Sequence, residues 1–153
     1  MEFLIAIVAT STLFCSAETN QDLANRSHGI GYYLEERNPE LVRYSGLIAK
    51  LPRYDYVLAI AQQETGMCTK GVGESKNNCG GIKSLSGGFQ EYDNPMSGLE
   101  HISEVIHRPH LRDKTIDEMN GIYCQHNGGK CPNWTENIEK EKWIIFNAVN
   151  GIR

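Results

Sequence analysis

The sequence predicts a mainly α-helical domain with a long glycine-rich loop, or a short β-hairpin, set between two of its helices. Apolar residues recur at helical spacing over Asn38 to Pro52, Asp55 to Thr65, Asn94 to Pro109 and Asn133 to the C terminus. Residues 66–93 interrupt that pattern with glycines and turn formers. The length of 153 residues fits one domain with a modest core.

Taken in order, Phe3 to Phe14 is an apolar run ending in the small-residue stretch Cys15-Ser16-Ala17. Residues 1–17 therefore read as a cleaved signal peptide, although the segment before the run carries Glu2 and no Lys or Arg. The run is short of the ~20 apolar residues that span a bilayer, so no stable membrane anchor is expected and the protein reads as exported. Residues 18–37 are polar and read as a linker or N-terminal arm. Residues 38–153 read as the folded domain.

Asn38-Pro39 is a helix start, because Asn caps and Pro suits the first helical position. Leu41, Ile48 and Leu51 follow at helical spacing. Over Asp55 to Thr65, Val57, Ile60, Ala61 and Glu64 share one face, and Gly66 ends the helix. Asn94-Pro95 repeats the cap-plus-proline start, and Leu99, Ile102 and Ile106 mark the helix that Pro109 stops. Thr115-Ile116-Asp117-Glu118 is a capping box for a helix reaching about Tyr123. The last helix starts near Asn133 or Trp134 and buries Ile138, Ile145 and Val149.

Cys68, Cys79, Cys124 and Cys131 remain after the signal, an even number that allows three disulfide connectivities. Pairing neighbours in sequence would staple two irregular loops. Intervals of ten and six residues, with no C-x-x-C pair, fit zinc-ligand loops poorly. His107 and His110 lack helical spacing across Pro109, so no metal and no cofactor are expected. With 15 Lys+Arg against 19 Asp+Glu and no basic stripe, nucleic acid is an unsuitable partner.

Glu64 is the most informative residue. A carboxyl on an otherwise apolar helix face is half desolvated, and the helix's C-terminal end is the negative pole of its dipole. Both raise its pKa and favour a protonated acid near neutral pH. A solvent-exposed Glu at the helix end is the alternative reading.

Gln63-Glu64-Thr65-Gly66, then Asn77-Asn78-Cys79-Gly80-Gly81-Ile82-Lys83, then Phe89-x-x-Tyr92, resembles the glucosaminidase-type peptidoglycan hydrolases of the lysozyme-like superfamily, which include autolysins and flagellar wall-cutting domains. The resemblance covers about residues 39–150. It implies a lysozyme-like catalytic domain over 38–153 that cleaves the β-1,4 glycan strand of peptidoglycan as an endo-β-N-acetylglucosaminidase. Glu64 would be its general acid. The resemblance also implies that Asn78, Gly81 and Ile82 form the cleft wall, that Phe89 packs the loop down, and that Tyr92, Tyr123 and Trp134 contact sugar. Core packing is the alternative role for those three rings. A monomer is expected, open to recruitment into a larger cell-envelope apparatus.

The sequence departs from the family in one respect. Only Ser84 to Gly88 lie between Lys83 and Phe89, so the hairpin that supplies a second carboxylate in some members is nearly absent. Glu74 is the best remaining candidate for that carboxylate, ahead of Glu91 and Asp93. Without one, Glu64 would act as both acid and base, the lytic-transglycosylase alternative. A catalytically inactive glycan-binding module is the rival from another class.

Overall fold

The computed structural model describes residues 18–124 and 127–152. The expected signal at 1–17 lies outside the described residues. The architecture is mainly helical: α1 (Asn20–Glu35), a 3-10 turn (Pro39–Tyr44), α2 (Ser45–Ile48), α3 (Tyr54–Thr65), α4 (Val72–Lys76), α5 (Pro95–Ile106), α6 (Ile116–Met119) and α7 (Trp134–Val149).

α3 is the central helix and packs against α5 and α7. Val57, Leu58, Ala59, Ile60 and Ala61 are all buried. The two cap-plus-proline starts are present as read. Asn38 accepts from the Glu40 N–H ahead of Pro39, and Asn94 accepts from the Ser97 N–H ahead of Pro95. The Thr115–Glu118 capping box is complete in both directions, but α6 ends at Met119 rather than near Tyr123. There the chain turns into an irregular segment held by the Cys124–Cys131 disulfide.

The segment 18–37 is not a linker. Thr19 and Asp22 form a capping box for α1, a four-turn helix whose second half buries Ile30, Tyr33 and Leu34 against α7 and the 3-10 turn. Glu141 of α7 accepts from the Tyr33 hydroxyl at 2.7 Å and pairs with the Arg37 guanidinium at 2.8 Å. The folded unit therefore begins before residue 38. The helix expected from Asn38 to Pro52 is broken into the 3-10 turn and the short α2, and still buries Leu41 and Ile48.

Between α3 and α5 the chain first makes α4, which the glycines on either side of it conceal. It then reverses at Gly87-Gly88. One antiparallel bridge joins Lys83 to Phe89, with Gln90 N–H donating to the Ile82 carbonyl at 2.9 Å and Ser84 N–H to the Gly88 carbonyl at 3.0 Å. Phe89 does not pin this turn down. It is exposed, because the turn stands away from the core.

The disulfides are Cys68–Cys79 and Cys124–Cys131, the sequence-local pairing. Such bridges are compatible with an exported protein. Among the described residues, no helix is long and apolar enough to cross a membrane.

Candidate functional site

Gly66 takes a left-handed conformation at φ 56° and closes α3 one turn beyond its last buried alanine. Glu64 is thereby held at the helix end, half-buried and facing the loop 78–82 and the start of α7. Next to it, the buried Thr65 hydroxyl joins the helix to that loop. It lies 2.8 Å from the Cys79 carbonyl and accepts from the Cys68 N–H at 3.1 Å. The Cys68–Cys79 bridge ties the same two segments covalently.

The loop is organised by Asn78. Its buried amide donates to the Ile82 and Gln90 carbonyls, each at 2.8 Å, and accepts from the Ile82 N–H at 2.8 Å. These bonds occupy both the amide nitrogen and the carbonyl oxygen, so the Asn78 side chain shapes the wall from within rather than offering itself to a sugar. Gly81 sits at φ 62°, where a side chain is strained, and a Cβ there would lie 3.7 Å from Glu64 Oε2. Ile82 is half-buried against the core.

Trp134 and Tyr123 converge on this end of α3, and Tyr92 lies near Tyr123. The Trp134 indole N–H donates to Glu64 Oε1 at 2.8 Å. Tyr123 stacks on Trp134 with ring centroids 5.9 Å apart, and its hydroxyl donates to the Gly80 carbonyl at 3.4 Å. Tyr92 meets His101 of α5 edge-on, its hydroxyl hydrogen-bonded to Nδ1. Trp134 is 1 % exposed, so it is no open platform for a sugar ring. Its polar edge serves Glu64 instead. Tyr123 and Tyr92 are only partly covered.

Electrostatically, burial raises the Glu64 pKa above its ordinary value, and the Trp134 donor acts against that by favouring the carboxylate. Among the described residues, no neighbouring carboxylate contributes to the shift. Burial, with Glu64 and Tyr92 nearby, pushes the Tyr123 phenol far above its ordinary range, so it stays neutral. The candidate second carboxylates are peripheral. Glu74 is exposed on α4, Asp93 is exposed before α5, and Glu91 is exposed and pairs with Lys76 at 3.1 Å. The structure thus brings together Glu64, Gly81, Tyr123 and Trp134, and leaves Glu74 at the surface. His101 and Asn120, whose amide bonds Cys131 and Thr135 on either side of Trp134, are parts of this region that the sequence reading did not single out, and Thr65 entered it only as part of the quoted motif.

A carboxyl whose pKa burial raises makes stability depend on pH. Below the ordinary glutamate pKa of 4.5, Glu64 is neutral in both folded and unfolded chains and contributes no difference. As pH rises above that value the unfolded chain ionises first, and the folded state loses stability until its own, higher pKa is passed. Glu64→Gln keeps an acceptor for Trp134 and cannot ionise. It is expected to match the parent in Tm at acid pH and to exceed it at neutral pH. A constant gap in calorimetry from pH 4 to pH 8 would disprove this account of the raised pKa.

No protein family, curated protein or solved structure was found to match the chain.

Proposed function

We propose that the protein is an exported glycosidase that cleaves the β-1,4 glycan strand of bacterial peptidoglycan, with Glu64 as general acid. The observation that carries this reading is Glu64 itself. It is a half-buried carboxyl with a raised pKa, bounded by a glycine-lined loop and partly covered aromatic rings. A protonated carboxyl of this kind can give its proton to a glycosidic oxygen as the bond to the sugar breaks. The left-handed Gly81 lets backbone rather than side chain border the acid. Tyr92 and Tyr123 are only partly covered and would hold a sugar, while Asn78 and Ile82 keep the wall in shape.

The resemblance favours the endo-β-N-acetylglucosaminidase reaction, in which water completes the cleavage. A second reading rests on a specific observation. The usual two-carboxylate mechanisms place their acids roughly 5 to 10 Å apart, and among the described residues no second carboxylate influences Glu64. Glu64 could then serve as acid and afterwards as base, with the 6-hydroxyl of N-acetylmuramic acid as the internal nucleophile. That is lytic transglycosylation.

Mass spectrometry of purified sacculi digested with the full chain tests both readings. Reducing N-acetylglucosamine ends are expected from the first, and anhydro-muramic ends from the second. Binding to sacculi without release of soluble fragments would refute cleavage and leave a glycan-binding module.

A further inference from the structure

We infer that Trp134 is a positioning residue for Glu64: its indole N–H fixes Oε1 as the accepting oxygen and leaves Oε2, on the Gly81 side, to carry the transferable proton. The inference rests on the reading of Glu64 as the acid and goes beyond it by assigning the reacting atom. Trp134 Nε1 lies 2.8 Å from Oε1, while a Cβ built on Gly81 would lie 3.7 Å from Oε2. An indole nitrogen only donates. A proton on Oε1 directed along that contact would face the indole hydrogen, so the neutral carboxyl is best satisfied with its proton on Oε2.

The indole has little freedom to turn away. Trp134 is buried and stacked on Tyr123. The backbone leading into it is clamped by the Asn120 amide, which accepts from the Cys131 N–H at 2.7 Å and donates to the Cys131 carbonyl at 3.0 Å and to the Thr135 hydroxyl at 3.1 Å. The Cys124–Cys131 bridge closes the same segment. Thus α7 and the segment before it present one fixed donor to the end of α3.

In the first step the Oε2–H bond breaks and its proton passes to the glycosidic oxygen. The bond from that oxygen to the anomeric carbon breaks, and the oxygen keeps the electron pair. Glu64 is left as a carboxylate, and the Trp134 hydrogen bond becomes charge-assisted and stronger. A donor that strengthens as charge develops lowers the barrier to that step. Water, or the sugar's own hydroxyl, then adds to the anomeric carbon and returns a proton to Glu64.

Among the described residues, few titratable groups face this carboxyl. There the segment before α7 contributes Tyr123, which stays neutral, and Trp134 of α7 does not titrate. The loop Gly80-Gly81-Ile82 has no titratable side chain.

The first test needs no variant of Trp134. The chain has two tryptophans, so the indole N–H signals resolve as a pair in 15N-labelled protein. The Trp134 signal is expected to titrate with Glu64 in the parent and to be flat in Glu64→Gln, with Trp143 flat in both. The second is Trp134→Phe, which keeps a ring and removes the donor. Its kcat is expected to fall about tenfold or more, as for loss of a hydrogen bond to a charged group, with KM little changed. The alkaline limb of its pH profile should move to higher pH, because the carboxylate has lost its donor. A pH-independent Trp134 signal in the parent, or a Trp134→Phe enzyme with unchanged kcat and pH limb, would overturn the positioning role. Lysis by Glu64→Gln would instead overturn the reading of Glu64 as the acid, and the proton assignment with it, whatever the indole signal does.

Discussion

Replacing Glu64 with Gln is expected to abolish lysis of purified sacculi, by about 10²- to 10⁴-fold or more on the scale of general acid catalysis, while leaving the fold intact. The substitution is nearly isosteric, and the amide oxygen can still accept from the Trp134 indole. On the proposed reading, what it removes is the transferable proton and, later in the cycle, the base. Because the buried carboxyl is costly to ionise, the inactive variant should also be the more stable one at neutral pH. That combination separates a functional acid from a structural one: an ordinary structural Glu would lose stability on replacement and leave lysis intact. Turbidity loss of sacculi, measured beside the thermal transition, reads both quantities. Lysis at the parent rate sinks the assignment.

Local rules made most of the scaffold legible. Asn94-Pro95 and Thr115-x-x-Glu118 act through neighbours within three residues, and both caps form as read. The apolar face of α3 followed from its spacing, and so did the position of Glu64 on it. α1 was missed for two reasons. Its apolar residues crowd into one half of a polar helix, and two glycines, Gly29 and Gly31, interrupt them. Gly29 in fact marks a close helix crossing, since a Cβ there would lie 2.4 Å from the Val149 Cα.

The site was legible in part. That an aromatic residue at the start of the last helix belongs to it could be read by resemblance. That Trp134 would present its N–H to a carboxyl seventy positions away could not, because no local rule fixes such a contact. The same holds for Asn78, whose role depends on the loop folding back so that the Ile82 and Gln90 carbonyls point at one amide. His101 was silent in sequence because its partner, Tyr92, meets it only once α5 has packed beside the loop.

The largest structural effect is expected at Gly98. This residue lies buried on α5, where the helix passes directly against the loop that borders Glu64. A Cβ at Gly98 would stand 2.1 Å from the Asn77 carbonyl oxygen and 3.3 Å from the Cys79 nitrogen. Both are backbone atoms, so no side chain can swing aside. The loop has little slack either. Asn77 donates to the Tyr92 carbonyl, the Asn78 N–H donates to the Val72 carbonyl, and Cys79 is bridged to Cys68. Helix propensity alone would make Gly98→Ala stabilising by up to about 1 kcal/mol. Overpacking a tight contact costs about 1–3 kcal/mol and occasionally more, and here it opposes backbone on backbone. The clash should win by about 1–2 kcal/mol, lowering Tm by about 2–8 °C for a chain of this size. It should also shift the Asn78–Ile82 wall relative to Glu64 and so reduce lysis in the fraction that stays folded. Gly46→Ala is the matched control, because Gly46 is exposed in α2 and, among the described residues, its Cβ would approach nothing closer than the Ser27 hydroxyl oxygen at 3.6 Å. Calorimetry of the two variants decides the matter: equal transitions would mean that α5 and the loop have room the geometry denies.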